Sequence, residues 1–201
     1  LRVHDRPFLL IAGELGNSSA SSLEYLRPIW PKLEKMHLNT VLVPVYWELL
    51  EPAEGKFDFS LVDSAIEDAR KYNLKLVLLW FGTWKNSMSC YAPYWVKTDW
   101  KRFPRARNKD GQAMEILTPF SEENRNADDR AFAALTKHLQ RTDAREQTVV
   151  MIQVENEIGM IPDARDHSQK ANEVYADLVP EELMAYLQKN KNNLAPEFSE
   201  I

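Results

Sequence analysis

Four short stretches that are apolar nearly throughout, residues 8–13, 40–46, 74–80 and 148–154, constrain the fold of this chain more than any other feature. A strand with one wet face alternates apolar and polar residues. These stretches do not, so both of their faces are buried, as in a parallel sheet covered by helices. Between them, residues 23–37, 61–72 and 127–141 read as helices. Ser60 with Asp63 resembles a capping box, and Asn126 followed by Asp128 and Asp129 reads as a cap with negative charge at a helix start. Pro31 suits a first turn, and Pro28 with Pro31 predicts that the first helical stretch is broken in two.

The resulting order is βαβαβαβ. The first three strands start at residues 8, 40 and 74, steps of 32 and 34, each the size of one βα unit. The fourth starts at 148, a step of 74, because residues 81–125 form a long connection of the kind that usually carries function. Residues 161–179 read as polar and irregular, and Pro180-Glu181-Glu182 as a further helix start. A doubly wound sheet and a barrel both accept this order. Gly13-Glu14-Leu15-Gly16 after the first strand is neither a dinucleotide fingerprint nor a phosphate loop, which favours the barrel. A complete barrel takes about 250 residues in eight units. The α/β chain of 201 residues, read as one partial domain over 1–201, is therefore expected to be the N-terminal half of a (β/α)8 TIM barrel, strands 1 to 4 with a long loop after strand 3.

A net charge of -5 and a pI near 5.5 supply no basic field for phosphate backbones or anionic lipid, so nucleic acid is not an expected partner and uncharged ligands fit better. The apolar runs fall far short of the roughly 20 residues that span a bilayer, and no membrane insertion is expected. The single cysteine, Cys90, excludes an intrachain disulfide and reads as a small buried or half-buried residue. Leu1 in place of Met and the polar stretch 194–201 predict that both ends are cut, which leaves a removed signal peptide open.

Polar residues gather where the strands end, which in a barrel is where catalytic groups sit. These are Glu14 and Asn17; Trp47, Glu48 and Glu51; Trp80, Trp84, Lys85 and Asn86; and Gln153, Glu155, Asn156 and Glu157. The densest is Gln153-Val154-Glu155-Asn156-Glu157-Ile158-Gly159, where an apolar strand runs into two carboxylates flanking an amide. The bland alternative is that Glu155 and Glu157 only solvate a strand end. Of six tryptophans, Trp47, Trp80, Trp84, Trp95 and Trp100 lie between residues 47 and 100. Flat apolar walls of this kind suit uncharged sugars, although each ring could instead be core, Trp80 first among them. His4, His37, His138 and His167 show no metal-ligand spacing, and Ser18, Ser19, Ser21 and Ser22 lack a nucleophile elbow and read as loop and cap residues. No metal and no cofactor are expected.

The segment from Gln153 to Gly159 resembles the acid/base motif of family 35 β-galactosidases, within the clan of (β/α)8 glycosidases that carry Asn-Glu after strand four. Gly13-Glu14, Leu38-Asn39-Thr40-Val41, Tyr46-Trp47-Glu48, Glu51-Pro52 and Gly55-Lys56-Phe57-Asp58-Phe59 also resemble that family. Gly13-Glu14-Leu15-Gly16-Asn17-Ser18-Ser19 and Trp80-Phe81-Gly82-Thr83-Trp84-Lys85-Asn86 resemble a bacterial subgroup associated with galactose-bearing plant polysaccharides such as xyloglucan. The loop after strand three departs from better-known members, having Trp84-Lys85-Asn86 in place of Gly-Pro-Tyr.

The resemblance implies retaining hydrolysis of terminal β-galactosides without a cofactor, in the complete enzyme. It makes Glu157 the catalytic acid/base and Asn156 the partner of the sugar 2-hydroxyl, with Glu14, Trp47, Trp84, Asn86 and Glu155 as further substrate-binding candidates. The nucleophile of that family lies near strand seven, beyond this chain, so the 201 residues alone are expected to be inactive. The implied partner is a galactose-containing oligosaccharide or polysaccharide, and the implied location periplasmic or extracellular. Oligomeric state is not legible. The alternatives are another glycosidase of the clan, such as an endo-β-glucanase or mannanase, and a noncatalytic sugar-binding barrel fragment.

Overall fold

A computed structural model describes residues 1–85, 91–160 and 163–198, in two compact units, Leu1–Ser168 and Gln169–Ile201. After a minimal antiparallel ribbon of Arg2–Val3 and Arg6–Pro7, the first unit is organised by four parallel strands, β1 (Ala12–Glu14), β2 (Thr40–Tyr46), β3 (Lys75–Lys85) and β4 (Val149–Asn156). They lie side by side in the order β1-β2-β3-β4, each parallel to the last. A doubly wound sheet reverses its strand order at a switch point, whereas a barrel adds each strand beyond the previous one. The sheet order therefore makes this the first half of a (β/α)8 barrel.

The helical layer follows the sequence signals in part. The first stretch is broken as its prolines require: α1 (Leu23–Leu26) leads through a 3₁₀ turn at Arg27–Ile29 into α2 (Trp30–Lys35), with Ser22 as N-cap, its hydroxyl accepting from the Tyr25 N–H. After β2 comes the single turn α3 (Trp47–Leu50), then α4 (Ser60–Lys71), which buries Val62, Ala65, Ile66 and Ala69, one helical stripe laid against the sheet. The supposed capping box at Ser60 does not form. Asp58 takes the Ser60 N–H at 2.8 Å, and Asp63 instead binds His138 Nε2 at 2.6 Å, the imidazole being stacked on Phe59 at 4.0 Å.

The long connection after β3 is not an open loop. It holds α5 (Tyr94–Thr98) and an antiparallel hairpin of Arg105–Arg107 with Ala113–Leu117, while Asn86 and Cys90 lie outside the described residues. The helix expected at 127–141 is α6 (Glu122–Thr142), capped by Ser121, so Asp128 sits in the helix interior and not at its start. Its buried stripe runs Asn124, Ala127, Asp128, Ala131, Leu135, Leu139. At the far end Asp143, buried beyond α6, accepts from Arg70 of α4 at 2.6 Å and from the Val149 N–H of β4 at 2.7 Å, tying two helices to the sheet.

Burial across the sheet is uneven. The inner strands β2 and β3 are enclosed nearly throughout, whereas β4 shows Met151 and Val154 to solvent and the approach to β1 shows Leu9 and Ile11. The first strand is also shorter than its apolar run. Asn39 takes the Ile11 N–H and donates to the Leu9 carbonyl, so a side chain occupies backbone groups that a neighbouring strand would otherwise pair. The second unit holds α7 (Gln169–Ala176), within a stretch expected to be irregular, and α8 (Glu181–Lys189), which starts after Pro180 as its sequence suggests. Among the described residues no helix is long and apolar enough to cross a membrane.

Candidate active site

The carboxyl ends of β3 and β4 are joined irregularly, and the irregularity builds the site. Trp80 pairs with Val154, but the next pair is Lys85 with Asn156, so five steps along β3 face two along β4. The bulged residues lose the strand partners of their N–H groups, and buried donors must be satisfied elsewhere. Two carboxyl groups do this. Asp128 accepts from the Thr83 N–H at 2.8 Å and from the Trp80 indole at 2.7 Å; Glu155 accepts from the Trp84 N–H at 3.0 Å and the Thr83 hydroxyl at 3.2 Å. Gly82 makes room for them: a Cβ there would lie 2.4 Å from the Asp128 carboxylate.

Asp128 and Glu155 meet at Thr83, one on its N–H and the other on its hydroxyl. Burial first, then the nearby Asp128 charge, push the Glu155 carboxyl up to about 10. Both Glu155 oxygens are committed to protein donors, the Trp84 N–H and the Thr83 hydroxyl. Asp128 was missed in the sequence because it reads as a helix-start charge. Its place on the α6 apolar stripe, four residues after Asn124 and three before Ala131, is the signal that marks it.

Beyond the bulge Lys85 meets Asn156, with Glu157 next in the chain. The Lys85 ammonium, buried over the Phe81 ring at 4.5 Å, donates to Asn156 Oδ1 at 2.5 Å. An ammonium can only donate, so the amide oxygen faces Lys85 and the amide NH₂ is turned the other way. Glu157 follows as the first residue past β4 and is exposed, and its carbonyl accepts from the Trp84 indole at 3.0 Å. Glu155 and Glu157 have φ of 60° and 50°, left-handed backbone that costs a side-chain-bearing residue about 1–2 kcal/mol and persists only where surroundings impose it.

The other candidates fall elsewhere. Trp47 is fully buried at the end of β2, its indole donating to Glu51 at 2.7 Å and packed edge-on to Trp95, so it is a core residue and not a sugar wall in this structure. Trp84 is buried with Ala106 and Ile116 of the hairpin, again not an open platform. Glu14 stands exposed at the end of β1, two strands from β4. The rim aromatics that do cluster are Tyr46, Phe81 and Tyr91, with centroids 5.3 to 6.0 Å apart. Burial raises both phenols, Tyr46 to about 12. Beside them Lys97 pairs with Glu48 at 3.1 Å. Among the described residues no group of three or more His, Cys, Asp or Glu could hold a metal.

Residues 24–195, nearly the whole chain, match the family model for glycoside hydrolase family 42, described as β-galactosidase. The chain belongs to family 42. The resemblance to family 35 is corrected accordingly: the shared Asn-Glu at the end of strand four is common to the clan, and the match over the rest of the chain is to the other family. No curated protein matches the chain.

Solved structures of β-galactosidases, the first of them a family 42 enzyme, superpose on it. A β-galactosidase from G. stearothermophilus has a TM-score of 0.61 at 19% identity, over 92% of this chain and 25% of that one. A β-galactosidase from a Rahnella strain gives 0.60 at 16%, over 96% and 28%. A β-galactosidase from the Antarctic haloarchaeon Halorubrum lacusprofundi gives 0.61 at 21%, over 79% and 22%. At such identity the likeness speaks for the fold, and the chain spans about a quarter of the length of these relatives.

Proposed function

We propose that the complete protein hydrolyses terminal β-galactosides with retention of configuration, Glu157 serving as its acid/base. The observation that carries this reading is Asn156-Glu157 at the carboxyl end of the fourth strand of a family 42 chain, the amide held by Lys85 and the glutamate exposed past it. Glu157 protonates the glycosidic oxygen while a second carboxylate, about 5 to 5.5 Å away on another part of the barrel, attacks the anomeric carbon. The bond to the leaving oxygen breaks with its electron pair on that oxygen. In the second half Glu157 takes a proton from water, which displaces the carboxylate and frees the sugar.

Asn156 assists by donating from the amide group that Lys85 turns outward, to the sugar 2-hydroxyl, a contact that strengthens in the transition state. Substrates are galactose-containing oligosaccharides or polysaccharides, met in the periplasm or outside the cell. The test is E157Q in the complete enzyme. Hydrolysis of galactosides with poor leaving groups falls by about 10² to 10⁴, while kcat/KM for activated aryl galactosides is largely kept. Equal loss on both substrate types would remove Glu157 from the role of proton donor. Release of internal fragments in place of terminal galactose would move the protein to an endo-acting reading.

A further inference from the structure

We propose that Trp84 and Glu155 are positioning residues for Glu157, a bracket that carries the rigidity of α6 and the β3 bulge to the acid/base, and that neither contacts the sugar. The proposal rests on the functional reading above. Glu157 lies past the last β4 pair, Asn156, so the strand ladder no longer fixes its backbone. Its backbone is left-handed, and its carbonyl accepts from the Gly159 N–H at 2.7 Å within the turn and from the Trp84 indole N–H at 3.0 Å, the contact that ties it to β3.

Trp84 is in turn fixed from two sides. Its ring is enclosed by Ala106 and Ile116 of the hairpin, with Met114 and Met160 packed on the same cluster. Its backbone N–H is held by Glu155 Oε2 at 3.0 Å, Glu155 also accepts from the Thr83 hydroxyl, and the Thr83 N–H is held by Asp128 on α6. The hairpin in the long connection therefore acts as a buttress for one indole. A general acid must stand within hydrogen-bond reach of the leaving oxygen, and a misplacement of about 1 Å can cost about 100-fold. Displacing Glu157 harms substrates that need its proton and spares those that do not, a signature that simple loss of folded protein does not produce.

The experiment measures kcat/KM for a series of aryl galactosides of graded leaving-group pKa in the complete enzyme, for wild type, W84F, E155A and E155Q. W84F deletes the indole N–H, and E155A deletes the acceptor behind it. E155Q keeps a carbonyl oxygen for the Trp84 N–H and offers an amide donor to the Thr83 hydroxyl oxygen. W84F and E155A are expected to lose about 10- to 100-fold on the poorest leaving groups and little on the most activated, steepening the leaving-group dependence. E155Q recovers most of the E155A loss.

Equal loss across the series, or a fall in melting temperature with an unchanged slope, overturns the proposal. If W84F does not fold, E155A against E155Q decides. If E155A does not fold either, the pair belongs to the scaffold and the proposal falls. A wild type that releases no galactose sinks the functional reading itself, whereas an active wild type with parallel losses sinks only the bracket.

Discussion

Two places at the strand ends pair a tryptophan with a glutamate, and they do opposite things. After β2, Trp47 and Glu51 are both buried, and Glu51 takes the Trp47 indole and the Gly55 N–H, each at 2.7 Å. Across β3 and β4, Trp84 is buried but its indole reaches a carbonyl whose own side chain, Glu157, is exposed. The first pairing closes on itself and seals a core. The second passes order outward to a carboxyl group at the surface. Residue type and position at a strand end are the same in both, so only the direction of the hydrogen bonds separates scaffold from site.

That contrast breaks most sharply under mutation. E157Q should abolish most turnover of unactivated galactosides while leaving the melting temperature of the complete enzyme unchanged. W47A should do the reverse, costing about 3–5 kcal/mol of stability through a cavity in a packed core. Denaturant titration beside the activity assay separates the two, and a stability loss in E157Q as large as that in W47A would erase the distinction.

A smaller effect tests the bulge. In G82A the new methyl group meets the Asp128 carboxylate at 2.4 Å, and with α6 anchored at both ends the clash should cost about 1–3 kcal/mol. A G82A variant as stable as wild type would show that the carboxyl pair shifts freely.

A last test concerns the proton on the buried Glu155 carboxyl. The folded state keeps it up to about 10, whereas the unfolded chain releases it near the ordinary value of 4.5. Its contribution to stability is full below the lower value and is lost as pH rises toward the upper one. E155Q, which has no such proton to lose, should show little change in mildly acidic buffer and a flatter fall in melting temperature toward alkaline pH. An identical pH dependence in E155Q and wild type would show that burial does not raise the Glu155 carboxyl.

The parallel strands were legible because each apolar run states its own burial, and the helices because their stripes repeat locally. The start of α6 was not, since residues 122–126 are polar and Asn126 imitates the cap that Ser121 provides. At the site, Asn156 and Glu157 were visible as polar residues ending an apolar strand. Glu155 was equally visible, but nothing adjacent in the chain shows that Thr83 and Trp84 donate to it. Trp47 and Trp84 were misread as open walls for a related reason, because an indole after a strand looks the same whether or not the next layer covers it.

The sequence by itself determined the alternation of parallel strands and helices, the absence of a basic field, and the carboxylates at the end of the fourth strand, all properties carried by neighbours along the chain. Tertiary structure alone decided which carboxyl satisfies the bulge donors, which indole is enclosed, and which amide face Lys85 turns outward. Those depend on groups about 70 residues apart, Thr83, Trp84 and Lys85 against Glu155, Asn156 and Glu157, meeting across a bulge whose unpaired donors had to be satisfied.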